Sequence, residues 1–115
     1  FKRKLERQVK EELAAKGVFS KEQVVEKMCH APSKLFRVKE RGFIREGYYA
    51  DLVLVDPNRP HVVSDDNVWY KCGWSPFLGE TFGVTVSKTF VNGHLVYDEG
   101  QFDPNFTGEV LLFDR

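Results

Sequence analysis

Three histidines, two cysteines and seventeen carboxylates are the side chains of this 115-residue sequence that could ligate a metal or move a proton. His30, His61 and His94 stand far apart, with no His-x-His and no His-Glu-x-x-His. No carboxylate lies at metal-ligand spacing from any of them. They read as a residue ahead of Pro32, a strand end and an exposed position after a hairpin turn. Cys29 and Cys72 form no Cys-x-x-Cys pair, which argues against both a structural zinc site and a disulfide scaffold. Cys29-His30 is a poor thiol–imidazole pair, because neighbouring helical residues point about 100° apart. Asp51 and Asp56 bracket an apolar run, and Asp65-Asp66 precedes Asn67. Paired acids do acid–base work only where a cleft drives their pKa values apart, and these pairs read instead as strand-end and cap residues. Gly79-Glu80-Thr81-Phe82-Gly83 lacks the spacing and the following helix of a phosphate loop. Composition and spacing therefore assign no catalytic, substrate-binding or metal-ligating residue.

Charge is the remaining chemical signal. The chain is formally neutral, yet residues 1–47 carry 13 Lys/Arg against 7 Asp/Glu and residues 48–115 carry 4 against 10. In a winged-helix module Lys34, Arg37, Lys39 and Arg41 would line a third helix and its exit, with Arg45 in the wing. The acidic, strand-rich residues that follow weigh against that reading, as does the short helix that Pro32 imposes. Solvated helix surface beside an acidic sheet is the plainer account.

The elements that must position these residues follow from periodicity. A length of 115 residues leads one to expect one domain, and 42% hydrophobic with 30% charged residues is a globular rather than a disordered balance. No apolar run approaches the ~20 residues of a membrane span, and no secretory segment opens the chain. A reduced, cytoplasmic location is expected. The first residue is Phe, as in a processed or incomplete piece.

Lys2–Lys16 reads as a helix, with Phe1, Leu5, Val9 and Leu13 on one stripe and Gly17 as its stop. Ser20 to Gln23 resembles a capping box. It opens a second helix buried through Val24, Val25 and Met28. Pro32 suits the first turn of a third, anchored by Leu35, Phe36 and Val38.

After Gly42 the pattern becomes β. A short strand is expected at Gly42-Phe43-Ile44, a turn at Glu46-Gly47, and a strand covered on both faces at Asp51–Asp56, stopped by Pro57. His61–Val63 reads as another strand and residues 64–83 as an irregular, aromatic stretch. Asn92-Gly93 is the clearest signal, a type I′ hairpin turn placing Val91 opposite His94 and Phe90 opposite Leu95. Val84, Val86, Phe90, Leu95 and Tyr97 would share one face, and Thr85, Ser87, Thr89 and His94 the other. A last strand is expected at Glu109–Phe113.

Gly42-Phe43-Ile44, then Gly47 and Ala50-Asp51-Leu52-Val53, resembles the amidohydrolase superfamily where the chain returns to a small β-sandwich beside the catalytic barrel. His30-Ala31-Pro32 with Leu35-Phe36 is similar to the segment that precedes it. Tyr70-Lys71-Cys72-Gly73-Trp74-Ser75-Pro76-Phe77-Leu78-Gly79, with Thr89–Tyr97, resembles the carboxyl-terminal end of dihydroorotases of the larger, metal-dependent type.

That resemblance implies an α+β fragment. Residues 1–41 would be terminal helices of a TIM-type barrel, and residues 42–115 the major part of an accessory β-sandwich burying Leu52, Val53, Leu54, Val55, Phe90, Leu95 and Tyr97. It implies a zinc hydrolase of pyrimidine biosynthesis that interconverts N-carbamoyl-aspartate and dihydroorotate. In that family the metal ligands and the catalytic aspartate lie on barrel strands, upstream of the part matched here. The fragment itself is then expected to be inactive, without catalytic metal ligands, to pair with the missing barrel portion and to belong to a homo-oligomer. No nucleic acid or membrane partner is expected. A hydantoinase-like enzyme is the runner-up, against which the Trp74-Ser75-Pro76-Phe77 block argues.

Overall fold

A computed structural model describes residues 16–114. The predicted stripe Phe1, Leu5, Val9, Leu13 lies outside the described residues; Gly17 occupies a turn at φ +76°. The chain forms two compact units. The described part of the first is residues 16–20 and 56–85, and the second is residues 21–114 without 56–85.

The second and third predicted helices are consecutive parts of one helical run. Helix α1 (Lys21–Val25) passes into a π turn (Glu26–His30) and then into α2 (Ala31–Leu35). Val25, His30 and Ala31 all keep right-handed helical angles, and the Ala31 N–H donates to the Glu26 carbonyl five residues back. Proline accounts for the wide turn. Pro32 has no N–H to offer, and its ring crowds the carbonyl four residues earlier, so the backbone dilates rather than breaks. The run ends in a Schellman arrangement, in which Arg37 N–H donates to Lys34 O at 3.2 Å and Val38 N–H to Ser33 O at 2.9 Å. Arg37 holds the left-handed position, φ +52°, that glycine usually takes.

Several predicted anchors are not buried. Leu35 is 75% exposed, and Val25 and Phe36 are also exposed, while Val24, Met28 and Val38 are half-buried. Gly42-Phe43-Ile44 is a bend, not a strand. Gly42 at φ +81° turns the chain tightly against Ser33, which leaves Ile44 89% exposed. The turn at Glu46-Gly47 does form, with Tyr48 N–H donating to Arg45 O and Gly47 at φ +82°.

Strand β1 (Leu52–Asp56) is an edge of a four-stranded sheet ordered β1-β4-β5-β6, with β4 at Thr85–Val91, β5 at His94–Asp98 and β6 at Gln101–Phe102. Strands β4, β5 and β6 pair antiparallel. In the first unit β2 (His61–Val62) pairs antiparallel with β3 (Thr81–Phe82). Among the described residues Phe82 and Val84 are the buried apolar ones, each 6% exposed, and Phe77 packs edge-on to Phe82.

The strand predicted to be covered on both faces is only half-covered: Leu54 is exposed, and Leu52, Val53 and Val55 are half-buried. Phe90, Leu95 and Tyr97 are also half-buried rather than core. The predicted strand Glu109–Phe113 is reduced to a single bridge, Val38 to Phe113. Its available partner is the short stretch after the Schellman turn, which spends Lys39 N–H on Leu112 O and Arg37 O on Asp114 N–H.

The Asn92-Gly93 turn is as the dipeptide predicts. Asn92 and Gly93 have φ +51° and +79°, and Val91 faces His94 and Phe90 faces Leu95. A register shift between Thr89 and Phe90 then sets Tyr97 opposite Thr89, which corrects its predicted place beside Phe90 and Leu95. Gly93→Ala is expected to cost about 1 kcal/mol, because a Cβ there would lie 4.0 Å from Ala50 Cβ, an ordinary contact, but the backbone is left-handed. Asn92→Gly should be neutral or slightly stabilising, since both side-chain amide atoms are buried without a partner. Urea denaturation of the two variants checks both signs.

Candidate functional site

Each histidine is occupied structurally. His30 stacks on Phe43 with ring centres 4.3 Å apart, and its Nδ1 lies 3.4 Å from Glu26 Oε2. His61 Nδ1 lies 3.2 Å from Val84 O and 3.3 Å from Thr85 Oγ1. His94 Nε2 lies 2.6 Å from Asp103 Oδ2, and its ring stacks on Phe106. Sequence spacing had no means of showing this last pair, which requires the chain to fold back after β6. Among the described residues no three His, Cys, Asp or Glu side chains come together as a possible metal site. These residues therefore do not fit the zinc that the family resemblance implies.

The carboxylate pairs are structural too. Asp56 Oδ1 accepts from Asn58 N–H at 2.9 Å, and Asp65 and Asp66 open a 3₁₀ turn, Asp65–Asn67. The Gly79–Gly83 stretch spends its amides on β structure: Gly79 N–H donates to Val63 O, and Thr81 and Phe82 form β3. Asp51 is a tether. Its Oδ1 accepts from Asn92 N–H at 2.8 Å, and its Oδ2 pairs with the Arg41 guanidinium.

Asp103 has a pKa below its ordinary value, chiefly through the hydrogen bond from His94 and then through the Asn105 N–H. A lowered folded-state pKa adds stability above the unfolded value of about 3.9 and loses it as pH falls through the folded value. The stability gap between the native chain and Asp103→Asn is therefore expected to narrow in acid. Urea titrations at pH 6 and pH 3 read the sign.

The basic residues are what the fold gathers. A surface cleft of about 370 Å³ in the second unit is lined by Lys34, Arg37, Arg41, Phe43, Tyr48 and Asp114, among others. Arg45 stands 4.4 Å over the Phe43 ring and 5.7 Å from the centre of Tyr48. The residues are those of the winged-helix reading, but the wing strand it requires is the bend at residues 42–43. No helix among the described residues is long and apolar enough to cross a membrane.

Comparison with known proteins places these observations. The amidohydrolase family profile matches residues 1–96. The chain is 33% identical over 97 residues to a dihydroorotase of Pyrococcus furiosus, covering 84% of this chain and 23% of that protein. It is 32% identical over 77 residues to an allantoinase of Escherichia coli (strain K12 / DH10B), covering 67% of this chain and 17% of that protein. Among solved structures, the L-hydantoinase (dihydropyrimidinase) from Arthrobacter aurescens superimposes with a TM-score of 0.69 at 30% identity, covering 77% of this chain and 20% of that one. The chain thus spans about a fifth of the length of the relatives it matches.

Proposed function

The chain belongs to the amidohydrolase family, and from that premise we propose that it is the carboxyl-terminal part of a longer cyclic-amide hydrolase acting on dihydroorotate. The observation that carries this reading is the 33% identity to a dihydroorotase across 84% of the chain. The blocks Tyr70–Gly79 and Thr89–Tyr97 support the same substrate. In this reading residues 1–41 close the barrel and residues 42–115 form the accessory sandwich. The zinc ligands and the catalytic groups lie in the portion outside these residues. The part described here has a supporting role.

Its partner is then the remainder of its own polypeptide, within a cytoplasmic homo-oligomer serving pyrimidine synthesis. The exposed Leu35, Ile44 and Leu54 and the place of β1 at the edge of its sheet, unpaired on its outer side among the described residues, support the first of these. Apolar surface and free strand edges of this kind are ordinarily covered. A second reading, a hydantoinase-like enzyme, is favoured by the structural likeness to L-hydantoinase.

Assaying the full-length protein against dihydroorotate, allantoin and a hydantoin separates the readings. The highest kcat/KM is expected for dihydroorotate, and a tenfold preference for the hydantoin assigns the second reading instead. The isolated 115-residue chain is expected to hydrolyse none of them with zinc added. Metal-stimulated turnover above a boiled control would overturn that expectation.

A further inference from the structure

We propose that the basic cleft of the second unit binds a phosphate group, free or carried on a small molecule. Charge bookkeeping around the cleft comes first. Arg41 is neutralised by Asp51, and Asp114, a carboxylate on the cleft wall, is held by Lys39 at 2.8 Å. Lys34, Arg37 and Arg45 are left without a carboxylate among the described residues. Lys34 and Arg37 are on the cleft wall, and Arg45 stands over two of its rings.

Their placement is built rather than incidental. Phe43 carries the His30 ring at 4.3 Å and the Arg45 guanidinium at 4.4 Å. One ring face cannot hold both at those distances, so they occupy opposite faces. Phe43 is therefore a spacer that fixes Arg45, with Lys34 Nζ 5.7 Å from the same ring centre.

Arg37 is the second, independent observation. It sits at the left-handed position of a Schellman turn, at φ +52°, where a side chain is disfavoured and glycine is the usual solution. From that position Arg37 lines the same cleft as Lys34, and neither has a carboxylate partner among the described residues. Two guanidinium groups and an ammonium suit a compact, multiply charged oxyanion, and the planar fork of arginine matches phosphate oxygens. The volume of about 370 Å³ accommodates a phosphorylated small molecule.

The test is calorimetry on the full-length protein at low salt, with inorganic phosphate, pyrophosphate and ribose 5-phosphate as probes. Saturable binding is expected, weakened at least about tenfold in Arg37→Gly and in Lys34→Gln. Arg37→Gly should melt at or above the native temperature, since it relieves the backbone while removing the cation. A preference for ribose 5-phosphate over inorganic phosphate identifies a carried group, and the reverse a free ion. Failure of all three probes to saturate overturns the proposal, as does unchanged affinity in Arg37→Gly. If the glycine variant does not fold, Lys34→Gln decides by the same criterion. Binding of a single-stranded oligonucleotide with none of the three probes would also overturn it, in favour of a nucleic-acid surface. The hydrolase reading stands or falls separately, on the substrate assays.

Discussion

Gly42→Ala is expected to destabilise the chain by roughly 2–4 kcal/mol, adding left-handed strain to overpacking. A Cβ at Gly42 would lie 2.5 Å from Ser33 Cβ, 2.8 Å from Cys29 O and 2.9 Å from Ser33 Oγ. None of these is the free end of a flexible side chain. Ser33 is buried, and its hydroxyl donates to Arg41 O at 2.7 Å, so moving it away breaks a buried hydrogen bond. The Cys29 carbonyl belongs to the helical backbone and moves only with it. Backbone φ at Gly42 is +81°, so the substitution is strained even before the clash. Ser33→Gly in the same chain should recover part of the loss by removing two of the three close atoms. The coupling is read from a double-mutant cycle in urea. Additive costs would show that Ser33 and Gly42 are not in contact.

Asp51→Ala is the next largest expected loss, about 2 kcal/mol, because it strands the buried Arg41 guanidinium, and it falls short of the cost in a fully buried pair because Asp51 is itself exposed. The Arg41 side chain is 8% exposed and sits 4.0 Å over the Tyr49 ring. Without Asp51 its charge keeps the aromatic contact but loses its counter-ion. The same carboxylate accepts the Asn92 N–H, while Gly93 N–H donates to Ala50 O at 3.0 Å. One side chain thus ties the residues after the helix to the tip of the β4–β5 hairpin. Asp51→Asn should cost less than Asp51→Ala, because an amide oxygen still accepts one hydrogen bond although the charge is gone. Equal losses for Asn and Ala would mean that the charge alone matters. A loss below 1 kcal/mol for Ala would remove Asp51 from the role assigned here. Thermal and urea unfolding of both variants give the ranking.

The residues differ in how far sequence alone carries them. Asn92-Gly93 was legible because its conformation is a local demand: both positions need positive φ, and few dipeptides accept that. Leu52–Asp56 was legible as a strand for a similar reason, an apolar run ended by Pro57. The tight turn at Glu99-Gly100, with φ +45° and +94°, is not legible in the same way, because glutamate rarely takes that conformation. Only Gly100 pointed to it. The resemblance to the amidohydrolases was readable in Gly42–Pro57 because those residues must fit one backbone path, and the family match bears it out.

Burial, by contrast, was not legible. Leu35, Phe36 and Leu54 have the side chains of a core and the exposure of a surface, since an apolar pattern states which residues seek cover and not whether cover is present. The grouping of Lys34, Arg37, Arg41 and Arg45 was legible as a basic stretch, but its arrangement about Phe43 and Tyr48 was not. It depends on the Schellman turn at Arg37 and on the close approach of Gly42 to Ser33. By itself the sequence determined the turns at Glu46-Gly47 and Asn92-Gly93, the apolar strand and the family, all of which follow from neighbours along the chain. Tertiary structure alone decided that Arg41 is buried on Asp51, that His94 meets Asp103 and that Lys34 and Arg37 line one cleft with Arg45 over two of its rings. Each of those pairings depends on distance in space between residues the sequence holds apart, and no periodicity encodes that distance.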